Sequence, residues 1–414
     1  MTAWLRLAAL AAAALVVVAE AVCRWWIRRR SRYYVWPPGM RLEIRLAPEV
    51  FPQLEPRVRF DINADGERGS DVPREQNGLY RVLATGGSAV ECFALDQPKS
   101  WPGVLERLLN APDSLQSLGA RHVHVGNIGH SGVASADLDL ILERVLPSYR
   151  RLDVLLIMVG ASDVYHWLEE GAPSSRPPSP VPEQWLFASH PRQRFGWKPG
   201  AWAGLEIARR LRRSWLRPLE VKERAGAWYA AARRMRAEAT EMRAMMPDAT
   251  VTVNNFEEHF RRVCRRAIVH ADRVLVMAQP WFEGDYTPQE AASFWHGGVG
   301  RPWKETVTAY YSLEVVNELL DLVYARAAQV ADDLGIQSLN LRKVLTQRKR
   351  HYFDHDHYTA AGAEVVARLV ANALLLPGEH RGDGVRDPVD VRSRELLVNG
   401  KLEAMAAPMR NFRG

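Results

Sequence analysis

Val82-Leu83-Ala84-Thr85-Gly86-Gly87-Ser88 is the stretch from which the fold is read. A short apolar run without helical spacing stops at two glycines and a serine, the pattern of a buried strand entering a tight turn. Working outward, similar runs recur at 122–125, ending in Gly126-Asn127, at 154–159, at 274–277 and at 336–341. The run at 154–159 is apolar throughout, as expected of a strand buried on both faces. Between the runs lie helical patterns. Residues 101–109 form one, and Leu138, Ile141, Leu142, Val145 and Leu146 fall at i, i+3, i+4, i+7 and i+8 in the next. A longer pattern spans 304–334 and is stopped by Gly335, and a closing helix is expected over 360–375. Strands alternating with helices imply a parallel sheet covered on both sides, so the expected fold class is α/β with about five parallel strands.

Composition narrows the function. With 47% hydrophobic and 25% charged residues in 414, the chain is of globular rather than disordered type. The net charge is +7, but the arginines are scattered and no zinc-finger spacing or RNA-binding aromatic motif accompanies them, which argues against a nucleic-acid partner. Cys23, Cys92 and Cys264 lie far apart and odd in number, so neither a disulfide framework nor a cysteine metal site is expected.

The N-terminus carries a targeting segment. Residues 7–19 are uninterruptedly apolar, and the stretch continues through Trp25, Trp26 and Ile27 with Glu20 and Arg24 inside it. A signal anchor places the tryptophans at the interface and the arginines 28–32 among the headgroups. A cleaved signal, with export of the remainder, reads Ala19-Glu20-Ala21 as a small-x-small site. The anchor is preferred, because a basic run directly behind a cleavage site hinders translocation. The side of the membrane stays open. The expected organisation is an anchor over 1–35, an extended lead-in over 36–80 and the main domain over 81–376. Residues 164–271 are expected as a helical insert, with one or two arginine-rich helices over 201–246, and 377–414 as a charged tail.

In an open parallel sheet, ligands bind outside the carboxyl ends of the strands. Those ends carry Gly87-Ser88, the segment Asn127 to Gly132, and Gly160 to Asp163; Asp354-His355-Asp356-His357 precedes the last helix. A serine hydroxyl becomes a nucleophile when an imidazole removes its proton, and the imidazole needs an acceptor that fixes its tautomer. Asp354 and His357, three positions apart, fit one tight turn. Ser88, Asp354 and His357 are therefore the expected nucleophile, orienter and base. Asn127, His166, Trp281, Trp295 and His296 come from loops near the strand ends and are expected as substrate contacts. His355 and Asp356 neighbour the proposed pair, but no third ligand has recognisable spacing, and no metal or cofactor is expected.

Over residues 81–375 the ordered blocks Gly86-Gly87-Ser88, Asn127 to Gly132, Gly160-Ala161-Ser162-Asp163 and Asp354 to His357 resemble the SGNH/GDSL hydrolase superfamily. The resemblance implies a metal-free acyl-ester hydrolase on a flavodoxin-like three-layer α/β/α sandwich. Its nucleophile maps to Ser88 and its Asp and His to Asp354 and His357. Its oxyanion hole maps to Ser88, Gly132 and Ser162, with serine where the family usually has asparagine. A glycine also stands at Gly87 where the family often has aspartate. The expected activity is removal of acyl groups, O-acetyl among them, from an envelope-associated small molecule or carbohydrate through an acyl-serine intermediate. An acyltransferase with the same residues and a non-catalytic scaffold of an envelope assembly system are the alternatives.

Overall fold

The structure, a computed structural model, describes residues 2–30, 32–188, 202–216, 218–283, 286–342, 344–345 and 348–376. The expected C-terminal tail lies outside them. The described strands are β1 (Arg41–Leu46), β2 (Arg57–Asp61), β3 (Leu79–Gly86), β4 (His122–Asn127), β5 (Leu152–Met158), β6 (Leu219–Ala225), β7 (Glu241–Arg243), β8 (Ala271–Ala278), β9 (Ala309–Tyr311) and β10 (Gln337–Asn340). The five strands expected from the apolar runs form one sheet in the order β10-β8-β5-β3-β4, and every neighbouring pair is parallel. Counted within the sheet, that order is 2-1-3-4-5. The chain steps from β3 to one side and then returns past it to β5, so a crevice opens beyond the carboxyl ends of β3 and β5.

Period-two alternation supplies both faces of the sheet. Leu83, Leu155 and Ile157 pack against the helices Ser135–Val145, Thr250–His270 and Leu313–Asp333 through Leu138, Phe256, Phe260, Val316 and Val323. Val82, Ala84, Val154, Leu156 and Met158 face the other way, onto Trp101 and Leu105 of the helix Trp101–Leu109 and Val366 and Val370 of the helix Ala360–Leu375. Helices therefore cover both faces of a mostly parallel five-stranded sheet.

The structure differs from the sequence reading in four places. The lead-in, whose alternation over 41–46 reads as a strand or two without a core of its own, does hold the strands β1 and β2, but β1 pairs with β2 and, in parallel, with β6 over a separate apolar cluster that includes Ile44, Phe51, Val58 and Phe60. The segment 201–246 holds the helices Ala203–Leu216 and Trp228–Ala237 but also β6 and β7. The last part of the expected insert is the 21-residue helix Thr250–His270, which covers the sheet and runs into β8. The helix expected from 304 starts at Leu313, because Ala309–Tyr311 is drawn into pairing with β7 and the Ser312 hydroxyl caps the amide of Val315 at 3.4 Å. The N-terminal stretch is one helix, Thr2–Arg30, of which Ala3–Ile27 is long and apolar enough to cross a membrane.

Candidate active site

Ser88 stands where β3 turns into the short helix Ser88–Glu91. Gly86 makes the turn possible. It sits at φ +151°, and a Cβ on it would fall 1.8 Å from the carbonyl oxygen of Met158 on β5, a contact that admits no side chain. The Gly87 amide then donates to that same carbonyl at 3.2 Å. Close approach of two strands thus lifts Ser88 to the rim of the crevice.

Asp354 shapes the opposite wall. Its Oδ1 accepts the backbone N–H of Asp356 at 3.1 Å and of His357 at 2.9 Å, folding the four-residue segment back on itself. The turn sets the His357 ring over its own carboxylate: Nδ1 lies 3.0 Å from Asp354 Oδ1 and 2.9 Å from Oδ2. His357 Nε2 is 2.8 Å from Ser88 Oγ. Three side chains far apart in sequence form one hydrogen-bonded line. Phe353 stacks on the imidazole with centroids 5.6 Å apart and restricts its rotation.

A second carboxylate reaches the same nitrogen. Asp356 Oδ1 lies 3.1 Å from His357 Nδ1 and 3.4 Å from His296 Nε2. Its other oxygen accepts from Tyr165 at 3.1 Å and from Gln279 at 3.4 Å. His355 points away from Ser88, with Nε2 2.9 Å from Asn317 Oδ1. Burial works against a charged His357, yet the Asp354 and Asp356 carboxylates outweigh it and lift the ring to about 9. Asp354 is pushed up by burial but held well below the usual carboxylate range by His357. Burial, with Asp354 nearby, raises Asp356 to about 6 against the pull of the ring. Burial also keeps His296 and His355 neutral, the latter at about 3. His296, Asp354, Asp356 and His357 bring their donor atoms within 4.8 Å of one another, the grouping among the described residues with the make-up of a metal site. An ion there would take the Nδ1 electron pair of His357 and displace its bond to Asp354.

Facing Ser88 is the loop after β4. Asn127 folds it, accepting from the Gly129 amide at 2.8 Å and donating to the Val90 carbonyl at 2.7 Å. Gly132 adopts φ +77°. Among the described residues the Ser88 and Gly132 amides have no protein acceptor. The Ser162 hydroxyl lies 3.8 Å from where a Cβ on Gly87 would stand, and it too has no protein partner among the described residues. Free donors therefore border the serine. Glu91 is a residue the sequence reading passed over: its carboxylate accepts the Ser131 amide and holds the loop against the Ser88 helix.

The expected substrate contacts divide. Trp295 donates from Nε1 to Asp354 Oδ2 at 3.3 Å, and His296 reaches Asp356, so both belong to the site's framework. The His166 ring lies 3.7 Å from a Cβ position on Gly132, at the edge of the donor group. Trp281 is a correction: it is buried, stacked on Tyr324 and covered by the Arg342 guanidinium, and it belongs to the core. Asn127 is another. Only 1% exposed, with its amide spent on the loop, it has no face for a ligand. Tyr165, Phe353 and the half-exposed Trp228 and Trp303, whose rings pack edge-on against Trp295, were not foreseen. No spacing in the sequence marks them. Beside Ser88 lies a shallow, narrow cleft walled by Cys92, Phe93, Ala94, Leu95 and Phe353.

No family model matches the chain, and no curated protein does. Among solved structures it is similar to a catalytic mutant of Axe2, an acetylxylan esterase from Geobacillus stearothermophilus. That likeness has 12% identity over 73% of this chain and 97% of that one, at a TM-score of 0.39. Axe2 itself gives 13% identity over the same shares and a TM-score of 0.38. LAE5, an alpha/beta hydrolase enzyme from the metagenome of Lake Arreo, Spain, gives 12% identity over 72% of this chain and 97% of that one, at 0.39. These likenesses are distant. The functional reading rests on this chain's own side chains.

Proposed function

We propose that the chain is a serine esterase of the SGNH/GDSL type that removes short acyl groups through an acyl-serine intermediate. The observation carrying this reading is the Ser88 Oγ to His357 Nε2 distance of 2.8 Å, with Nδ1 backed by Asp354 at 2.9 Å. Neutral His357 takes the Ser88 proton as Oγ attacks the ester carbonyl. The carbonyl oxygen gains negative charge and accepts from the Ser88 and Gly132 amides and the Ser162 hydroxyl. His357 passes its proton to the departing alcohol, then takes one from the water that attacks the acyl-serine carbonyl and returns it to Ser88 Oγ as the acyl–oxygen bond breaks and the acid leaves. The doubly wound sheet order and the block order agree with a flavodoxin-like SGNH framework. The apolar wall beside Ser88, formed by Phe93, Ala94, Leu95 and Phe353, and the narrowness of the cleft favour a short acyl group over a long one.

The substrate we propose is an acylated carbohydrate or small molecule at the cell envelope, with the N-terminal helix as anchor. Trp295, Trp228 and Trp303 offer a partly exposed aromatic wall next to Asp354 on which a sugar ring could stack. An acyltransferase would use the same residues with a sugar hydroxyl in place of water. The intact hydrogen-bonded line disfavours a non-catalytic scaffold. The test is turnover of an aryl acetate by the full-length protein and by Ser88→Ala. The wild type is expected to release acetate and the variant to lose release with its circular dichroism unchanged; equal turnover would remove Ser88 from the mechanism.

A further inference from the structure

The esterase reading leaves unexplained a carboxylate in the middle of an apolar helix. Glu20 interrupts the N-terminal segment, and isolated charge in such a segment is expensive unless partnered. Its partners are unusual. One is Arg24, a turn further along the same helix, at 2.7 Å. The others are the backbone amides of Ala203, at 2.8 and 2.9 Å from the two carboxylate oxygens, and of Gly204, at 3.3 Å. These are the first amides of the helix Ala203–Leu216. Such amides have no partner within their own helix and attract negative charge. Glu20 is therefore the point where a second helix joins the first.

The two helices then run side by side. Ala203 is fully buried against Glu20, and Arg210, two turns on, acts electrostatically on Tyr34 beyond the end of the N-terminal helix. Glu20 and Trp26 are separated by about 9 Å of helix at 1.5 Å per residue, so the second helix accompanies the tryptophan-bearing end of the first. Trp25 and Trp26 are 54% and 36% exposed there. The face of the second helix turned away from the first is apolar and open: Leu211 is 50% and Trp215 83% exposed, at i and i+4, with Ala208 on the same side. Arg209 lies on the adjoining side, and Arg212 at the margin of the apolar face, between Ala208 and Leu205. Tryptophan and leucine on one face with arginine at its margin and beside it is the pattern of a helix lying in a membrane interface.

We propose that Ala203–Leu216 is a second membrane element. It lies beside the anchor at the boundary of headgroups and acyl chains of an acidic phospholipid bilayer, with Leu211 and Trp215 among the chains and Arg209 and Arg212 among the phosphates. The proposal rests on the anchor reading of the N-terminal helix and is independent of the esterase chemistry. Glu20 joins the two elements, and the domain that carries Ser88 is thereby held close against the bilayer.

The test uses the full-length chain in a Cys23→Ser background, since Cys92 and Cys264 are buried. An environment-sensitive nitrobenzoxadiazole dye is placed on Leu211→Cys or Ala208→Cys, and on Leu10→Cys of the anchor as reference. The labelled proteins are reconstituted into phosphatidylcholine vesicles containing phosphatidylglycerol, with doxyl quenchers fixed at shallow or deep acyl positions. At 211 and 208 the dye is expected to emit blue-shifted and to be quenched about two-fold more by shallow than by deep doxyl; at 10 deep doxyl is expected to win. Quenching at 10 with none at 211 or 208 overturns the proposal while leaving the anchor standing, and blue-shifted but unquenched emission at 211 identifies a protein neighbour instead. Absence of quenching at all three positions removes the anchor and the proposal together. Wild-type aryl acetate turnover, measured separately, reports on the esterase reading.

Discussion

Asp356→Asn removes one of two negative charges around His357 Nδ1 while keeping the side chain's shape. A full unit charge 3.1 Å from the ring nitrogen would contribute about 5 kcal/mol at an effective dielectric near 20. The imidazolium charge is spread over both nitrogens and the asparagine dipole remains, so a fall of about 1 to 2 pKa units is the working figure, or about 1.4 to 2.7 kcal/mol. In the proposed mechanism the active base is the neutral ring. Because Asp354 and Asp356 lift His357 to about 9, the ring is mostly protonated at pH 7, and activity should rise with pH until the ring has lost its proton. The substitution should move that rise toward acid by about 1 to 2 units and lower the high-pH plateau about 3- to 10-fold, because a weaker base takes the serine proton less readily. The pH profile of kcat/KM for an aryl acetate reads both effects. Asp354→Asn is the contrast: it also loses the acceptor of the two turn amides, and should lower the plateau by about 10⁴-fold. A profile whose midpoint stays put in Asp356→Asn would refute the claim that the second carboxylate acts on the ring.

Other consequences are open to measurement. Gly86→Ala places a methyl group on the Met158 carbonyl and should cost about 4 kcal/mol or more, seen as loss of soluble folded protein or a collapsed denaturation midpoint. Ser162→Ala should lower kcat about 10- to 100-fold at nearly unchanged KM if the hydroxyl donates to the oxyanion, and unchanged kcat would remove it from that role. Glu67 is buried between His124 at 2.9 Å and Arg81 at 2.7 Å; burial pushes it up, but these partners prevail and hold it near 2. A carboxyl depressed in the folded state contributes stability above its unfolded pKa and loses it as pH falls toward the folded one. The native protein should therefore lose about 3 kcal/mol between pH 5 and 2 from this group, and Glu67→Gln should flatten the melting temperature across that window.

Much of the fold was legible because buried parallel strands read as continuous apolar runs. Val82-Leu83-Ala84 and the run over 154–159 are neighbours in the sheet, with Val82 opposite Val154 and Gly86 opposite Met158. The strands β6, β7 and β9 were missed for a physical reason: β6 is exposed along six of its seven residues, so no apolar period marks it. The helix Thr250–His270 was absorbed into the expected insert because arginines crowd its outer face while Phe256, Phe260 and Val263 serve the core. At the site, Ser88, Asp354 and His357 could be read because each sits at a strand end or in one short turn. Asp356 acts through a fold-back visible only when Asp354 binds two backbone amides. Trp281 and Asn127 show that loop position says nothing about which way a side chain turns, since both turn inward.

The central claim is that the Ser88 hydroxyl is made nucleophilic by His357. A fluorophosphonate probe, which bonds covalently to such an oxygen, followed by peptide mass spectrometry, tests it most directly. The account predicts a single modified peptide carrying the adduct on Ser88 in the wild type, and none in His357→Ala. Silence in the wild type, or labelling that survives loss of the imidazole, would contradict it.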